Sequence, residues 1–495
     1  MSFAEYDDHD CIGLAELVRK GEVSPKELLE SAIERVEERN PELNAVVHRM
    51  YERAWARVED LPDGPLKGVP FMVKDLKLGI AGEPTSNSSK LTVDQTPTVN
   101  SVTFDRYEAA GLQTIGKTNT PEFGLMGITE PKLRGPCRNP WNTDHTPGGS
   151  SGGSSAAVAA RIVPAAHSGD GGGSIRIPAS ATALFGLKPT RGRITMAPFA
   201  GEAWDGFVQE HVLCRSVRDS ALLLDLTAIF TPGDPYAQPP KEGPWIDEVG
   251  KDPGKLKIGF CKETLYAGET HPDCLAAVEE AAKFLEGLGH EVVESTPPFP
   301  VEDMIRNYFL TVAAGLANFV EKAAAYAGKK PKAADFEPAT WLFAQIGWKN
   351  SASELFMTQS KVHVAMREIS AWFQEYDLFL SPTLARPPAK VGELYPSGGK
   401  ETQLKVLGAL PLKPLIDAAL ETLGKTTLAA TPNTQLFNQT GQPACSVPWS
   451  WNADGLPIGI QLASRFGDEA TLFRVSAQIE AERPWDHRRP PMITA

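Results

Sequence analysis

Hydrophobic and polar positions follow two periods along this chain. Ser24-Pro25-Lys26-Glu27 has the form of a capping box with proline in the first turn. Leu28, Leu29, Ala32, Ile33 and Val36 then share one helical face, and Asn40-Pro41 predicts its stop. The unbroken apolar run Val69-Pro70-Phe71-Met72-Val73 predicts a buried strand ending at Lys74-Asp75. Residues 101–110 read as a helix stopped by Gly111, and 112–115 as a strand running into Gly116-Lys117-Thr118-Asn119. Later strands are expected at 257–260, 291–293, 377–380 (stopped by Ser381-Pro382) and 457–462. Helices are expected at 272–286, ended by Gly287, and from an Asp468 cap to about Glu480, the last one.

Strands alternating with helices at this spacing predict crossover units. The fold class expected is α/β: a single large domain, 1–495, with a central twisted mixed, largely parallel sheet covered by helices on both faces. Within it the pattern suggests a helical arm over about 1–60, a catalytic core over about 65–235 and a C-terminal part over about 255–495. Two stretches interrupt the rhythm. One is 198–208, with Phe199, Trp204 and Phe207. The other is 393–431, where a Ser397-Gly398-Gly399 turn precedes the apolar stretch 404–423. Both are expected to cover the site, the second lining it with Leu404, Val406, Leu407, Leu410 and Leu412.

Composition narrows the classes. Apolar and charged fractions are those of a globular protein, and a net charge of −13 argues against nucleic acid as a partner. No apolar run approaches the roughly 20 residues that span a bilayer, and the acidic, polar stretch from Met1 to Asp10 is unlike a signal peptide. Cys11, Cys137, Cys214, Cys261, Cys274 and Cys445 form no Cys-x-x-Cys pair and read as reduced, mostly buried thiols of a cytoplasmic protein. The histidines show no His-Glu-x-x-His spacing, so no metal is expected.

The densest chemical signal is Gly148-Gly149-Ser150-Ser151-Gly152-Gly153-Ser154-Ser155 followed by Asp170-Gly171-Gly172-Gly173-Ser174-Ile175-Arg176. Ser150 and Ser174 lie 24 residues apart, each beside glycines that leave backbone N–H groups bare. Two positioned hydroxyls suit a nucleophile and its relay, and bare amides suit an oxyanion hole. The run meets the apolar helical stretch 156–162 at once, which argues against a flexible linker. Lys74, at the end of a buried strand, could lose its proton through desolvation and act as a base; pairing with Asp75 is the plainer alternative.

These segments, with Gly68-Val69-Pro70-Phe71-Met72-Val73-Lys74-Asp75, resemble the amidase signature family, as do 116–124, 186–192 and Gly441-Gln442-Pro443-Ala444. The resemblance spans nearly the whole chain and is nearest in look to the bacterial branch of 6-aminohexanoate-oligomer hydrolases and aryl acylamidases. It implies a Ser–cis-Ser–Lys triad with Ser174 as nucleophile, Ser150 as bridge after a cis Gly149–Ser150 bond, and Lys74 as base. It implies an oxyanion hole from the N–H groups of Gly171, Gly172, Gly173 and Ser174, with Ser151, Asp170 and Arg176 as supporting groups. The expected activity is hydrolysis of hydrophobic or aryl amides, with esters and carbamates open to the same chemistry. No cofactor is implied, and a homodimer is left open. Candidates for the substrate walls are Phe123, Leu125, Met126, Gly127, Phe199 and Trp204.

Three other patterns fit parts of these segments. Gly148 to Gly152 matches Gly-x-Ser-x-Gly, but no strand precedes it as a nucleophile elbow requires. Residues 111–118 match a phosphate-loop pattern in form, but its middle is the expected strand itself. The amidase subunit of a glutamyl-tRNA amidotransferase would carry the same triad and stays as the alternative function.

Overall fold

The computed structural model describes residues 3–494, without the side chains at 4, 421, 423–426 and 494. Met1, Ser2, Ala495 and the side chain of Leu423, which the reading above touches, lie outside the described residues. Eleven strands form one sheet: β1 (Val46–Arg49), β2 (Pro70–Lys74), β3 (Gln113–Thr118), β4 (Ala165–Asp170), β5 (Phe185–Lys188), β6 (Gln209–Cys214), β7 (Lys257–Phe260), β8 (Glu291–Glu294), β9 (Leu378–Pro382), β10 (Ala444–Trp451) and β11 (Pro457–Ser464). Their order is β1-β3-β2-β4-β6-β5-β10-β11-β9-β7-β8. The mixed α/β sheet expected from the spacing is present. Its parallel pairing sits in two blocks, β3-β2-β4 and β9-β7-β8, while the middle of the sheet and the β1 edge pair antiparallel.

The apolar run before Lys74 is buried at every position of β2, as a central strand flanked on both sides requires. The Ser24 capping box forms, its hydroxyl accepting from the Glu27 N–H and the Glu27 carboxylate accepting from the Ser24 N–H. Pro41 does not stop that helix, which runs Pro25–Leu43. The actual end is Asn44, left-handed at φ 50°, whose N–H donates to the Asn40 carbonyl at 2.8 Å. Pro382 likewise lies inside β9 rather than after it. It pairs with Ile460 of β11 beyond the reach of β7, so no second neighbour asks for its missing N–H. The Asp468-capped helix spans Glu469–Glu482, and a short turn, Pro491–Thr494, follows it. All six cysteines are buried and unpaired, and among the described residues no helix is long and apolar enough to cross a membrane.

Two apolar cores result. One joins the sheet to the flanking helices. The other is built mainly by Val301–Tyr326, Pro338–Lys349 and Ala352–Glu375, helices the sequence reading left unassigned, closed by Phe379 and Phe437.

The last long helix is tied to the turn after β5 by a buried ion pair, Arg193 with Glu469 at 2.8 Å, 1 % and 0 % exposed. Glu469 also accepts the Thr190 N–H at 2.9 Å. Removing one member strands a buried charge. Glu469→Ala is expected to lose about 3–5 kcal/mol, read as a lowered urea midpoint at unchanged slope; a loss within about 0.5 kcal/mol, the scatter of surface substitutions, would overturn that assignment.

Candidate active site

The parallel block brings the candidate residues to one edge. In parallel neighbours the strand ends align, so the C-terminal ends of β2 and β4 share a side of the sheet. Lys74 is the last residue of β2 and Asp170 the last of β4. The Gly152–Ala159 helix is the crossover into β4, and its start presents Ser150 and Ser151 at the same edge. The loop after β4 carries Gly171 to Ser174 before the Arg176–Thr182 helix. Gly153 lets the crossover seat: a Cβ there would lie 2.2 Å from the Asn119 backbone nitrogen. The Gly149–Ser150 peptide is cis.

Lys74 is 1 % exposed. Its Nζ lies 2.7 Å from Ser150 Oγ, 2.9 Å from Ser151 Oγ and 3.4 Å from the Gly169 carbonyl. It does not pair with Asp75, whose carboxylate accepts from the Ser86 N–H at 3.0 Å and from the Ser86 hydroxyl. Burial without a contacting carboxylate pushes Lys74 down to about 7; Asp170 opposes the shift and Lys77 adds to it.

Asp170 shapes the loop. Its carboxylate accepts from the N–H of Gly173 (2.6 Å) and Ile175 (3.2 Å), from Arg176 Nε and Nη2 (3.0 Å each) and from Asn438 Nδ2 (2.8 Å). Burial alone would raise this acid, but the Arg176 guanidinium and the Asn438 amide more than offset it and hold it well below the usual carboxylate range. Arg176 also donates to Gln461 Oε1 (2.8 Å) and Asn438 Oδ1 (2.7 Å). Gly173 turns the chain at φ +116°, and a Cβ there would meet Thr434 Oγ1 at 2.2 Å. The expected four-donor oxyanion hole is therefore corrected at one position, because the Gly173 N–H is already committed to Asp170. Among the described residues the N–H groups of Gly171, Gly172 and Ser174 have no acceptor. Ser174 is half-buried, and its hydroxyl has no hydrogen-bond partner among the described residues.

Lys74, Ser150 and Ser174 line one slot with Leu76, Lys77, Phe123, Gly124, His167, Gly171, Trp204, Val208 and Glu210. A second cavity of about 330 Å³ shares Lys77, Phe123, Trp204 and Glu210 with it and adds Phe199, Phe319 and Met196 among its walls. Of the expected wall residues, Phe123, Trp204 and Phe199 are thus at the site. Leu125, Met126 and Gly127 line neither space: Leu125 packs into the helical core, and a Cβ on Gly127 would face Thr431 and Ile177. Stretch 198–208 lines both spaces, whereas among the described side chains 393–431 lines neither. That stretch folds as helices Gly398–Ala409 and Lys413–Thr427, with Leu404 and Leu407 turned onto the helical core and Val406, Leu410 and Leu412 exposed. Its periodicity was that of an amphipathic surface pair, which composition alone does not separate from a lid. Lys77, His167, Glu210 and Phe319 escaped the reading. Only Lys77, three residues past Lys74, offered a signal.

The family model described as Amidase matches residues 27–473. The chain is 34% identical over 491 residues to 6-aminohexanoate-cyclic-dimer hydrolase from Pseudomonas sp. (strain NK87), covering 98% of this chain and 97% of that one. A solved structure of 6-aminohexanoate cyclic dimer hydrolase superposes with a TM-score of 0.89 at 33% identity, covering 98% and 99% of the two chains. A bacterial aryl acylamidase structure gives 0.84 at 27% identity, covering 97% of each.

A lysine neutral when buried and charged when unfolded makes stability depend on pH. Between pH 7 and 10.5 the unfolded chain holds the proton that the folded chain has released, so the cost of burying Lys74 shrinks as pH rises and is gone above the unfolded value. Lys74→Met is expected to be inactive yet more stable at neutral pH by about 1–3 kcal/mol, the gain fading toward alkaline pH. Chemical denaturation at two pH values reads this; a variant less stable than the parent at neutral pH would contradict it.

Proposed function

The chain belongs to the amidase family, and on that premise we propose that it hydrolyses amide C–N bonds through an acyl-enzyme on Ser174, with Ser150 and Lys74 as the proton relay. The observation that carries this reading is the buried Lys74 held 2.7 Å from Ser150 Oγ in the slot that Ser174 shares. Neutral Lys74 has a lone pair for the Ser150 proton, and Ser150 in turn takes the proton of Ser174 as Ser174 Oγ bonds to the substrate carbonyl carbon. The Ser174–Ser150 link closes when substrate fills the slot, as catalytic hydrogen bonds commonly do.

The oxyanion then accepts from the uncommitted N–H groups of Gly171, Gly172 and Ser174. Asp170 and Arg176 fix that loop, so the donors are aimed before substrate arrives. The relay returns its proton through Ser150 to the leaving nitrogen, the C–N bond breaks, and water clears the ester by the same relay in reverse. Ser151 holds Lys74 in register at 2.9 Å.

The apolar walls, Phe123, Trp204, Phe199 and Phe319, suit hydrophobic or aryl amides. The relatives named for a cyclic amide dimer and for aryl acylamides support the same class. Esters and carbamates share the tetrahedral oxyanion, so they fall within reach of the same machinery.

Ser174→Ala is expected to lower turnover of an anilide by about 10⁴-fold or more without changing the melting temperature, and Ser150→Ala to lower it less, water standing in for the relay hydroxyl. Ser174→Ala within about tenfold of the parent would overturn the assignment. The active form has Lys74 unprotonated, so kcat/KM is expected to rise with pH through about 7; a profile flat from about pH 5 to about pH 9 would remove Lys74 as the base.

A further inference from the structure

Lys77 occupies the neck between the catalytic slot and the 330 Å³ chamber, lining both. It leaves the end of β2 in a left-handed conformation, φ 60°. Its Nζ stands 4.1 Å from the Phe319 ring centroid and 5.5 Å from that of Trp204. Among the described residues it has neither a hydrogen-bond acceptor nor a carboxylate within ion-pair distance. Two carboxylates, Glu202 and Glu210, line the chamber, and neither lies within ion-pair distance of Lys77. Glu202 accepts from the Tyr236 hydroxyl, and Glu210 stands 3.6 Å from His167 Nε2. The remaining charged group on the wall, Lys322, is exposed at the rim. Lys77 therefore faces the chamber with the N–H donors of its ammonium unfilled by any side chain among the described residues.

Aromatic faces attract an ammonium but satisfy none of its three N–H donors directionally. An apolar ligand tail filling the neck would strip water from those donors and give nothing back. An oxygen acceptor at the same place would complete them. We infer that Lys77 is a specificity-determining residue whose ammonium grips a second carbonyl or carboxylate oxygen on the part of the substrate lying in the chamber, so that the enzyme selects bifunctional amides. In such substrates an apolar spacer separates the cleaved amide from another oxygen-bearing group. The spacer lies against Phe123 and Phe319, stacked at 6.3 Å between centroids. Burial pushes Lys77 only down to about 8, with Glu210 opposing the shift and Lys322 adding to it, so it stays largely protonated near neutrality.

The inference rests on the hydrolase reading of the slot, and the experiment separates the two. Amides of equal length ending in a methyl group, a methyl ketone or a carboxylate are compared in two series, with the variable end on the acyl or the amine side. In at least one series the oxygen-bearing members are expected to exceed the methyl member by about tenfold in kcat/KM. Lys77→Met should bring that ratio to about one and Lys77→Arg should keep most of it. A gain for the carboxylate alone identifies ion pairing, and a gain for both identifies hydrogen bonding; either supports the inference. No oxygen preference in either series, or a Lys77→Met loss equal across all members, overturns it. Labelling of Ser174 by a fluorophosphonate reports on the slot independently: if it fails, the hydrolase reading falls, and if it succeeds without an oxygen preference, only the role of Lys77 falls.

Discussion

The site depends on keeping an amine dry. Lys74 sits at the end of a strand buried on both faces, with hydroxyls and a carbonyl as its contacts and no carboxylate among them. A single acid moved into contact would favour the ammonium and remove the proposed base. The surroundings avoid this twice. Asp75 is turned to Ser86, and Asp170, the nearest strand-end acid, is bound on both oxygens by Arg176 and Asn438. The same ion pair that quiets Asp170 also ties the loop carrying Ser174, so the surroundings of Lys74 and the shape of that loop are set by one network.

That arrangement sets stability against function locally. The glycines of the loop, the buried lysine and the unaccepted N–H groups each cost the fold something that a packed apolar core would not. The cost is carried by a large sheet with apolar cores on its flanks and by buried pairs such as Arg193 with Glu469, away from the chemistry.

The strand ending at Lys74, the capping box at Ser24 and the two serine-bearing glycine runs were legible because each is a local signal: periodicity, a cap, bare backbone. Pro41 and Pro382 misled because a proline's effect depends on what its missing N–H would have met, and that is a tertiary fact. The commitment of the Gly173 N–H to Asp170 was hidden for the same reason, since the sequence shows four bare amides in a row. Phe319 was invisible because its helix reaches the chamber from 145 residues beyond Ser174, a separation no local pattern records. The stretch 393–431 shows the reverse ambiguity: apolar residues at helical spacing suit a lid and a helix packed on another helix alike, and only the fold shows Leu404 and Leu407 on the helical core.

Trp204 lies wedged between the two halves of the site. A Cβ on Gly171 would meet its ring at 2.8 Å, and one on Gly315 would meet it at 2.2 Å. One indole thus touches the loop that carries Ser174 and the Val301–Tyr326 helix that walls the chamber. The groups proposed to make and break bonds come from residues 74–174, and one wall of the chamber comes from beyond residue 300. Substitutions in the distal helix can reshape what is admitted without replacing a proposed chemical group, provided the contacts across the seam stay compatible, this indole on Gly171 and Tyr308 on Gly172 among them.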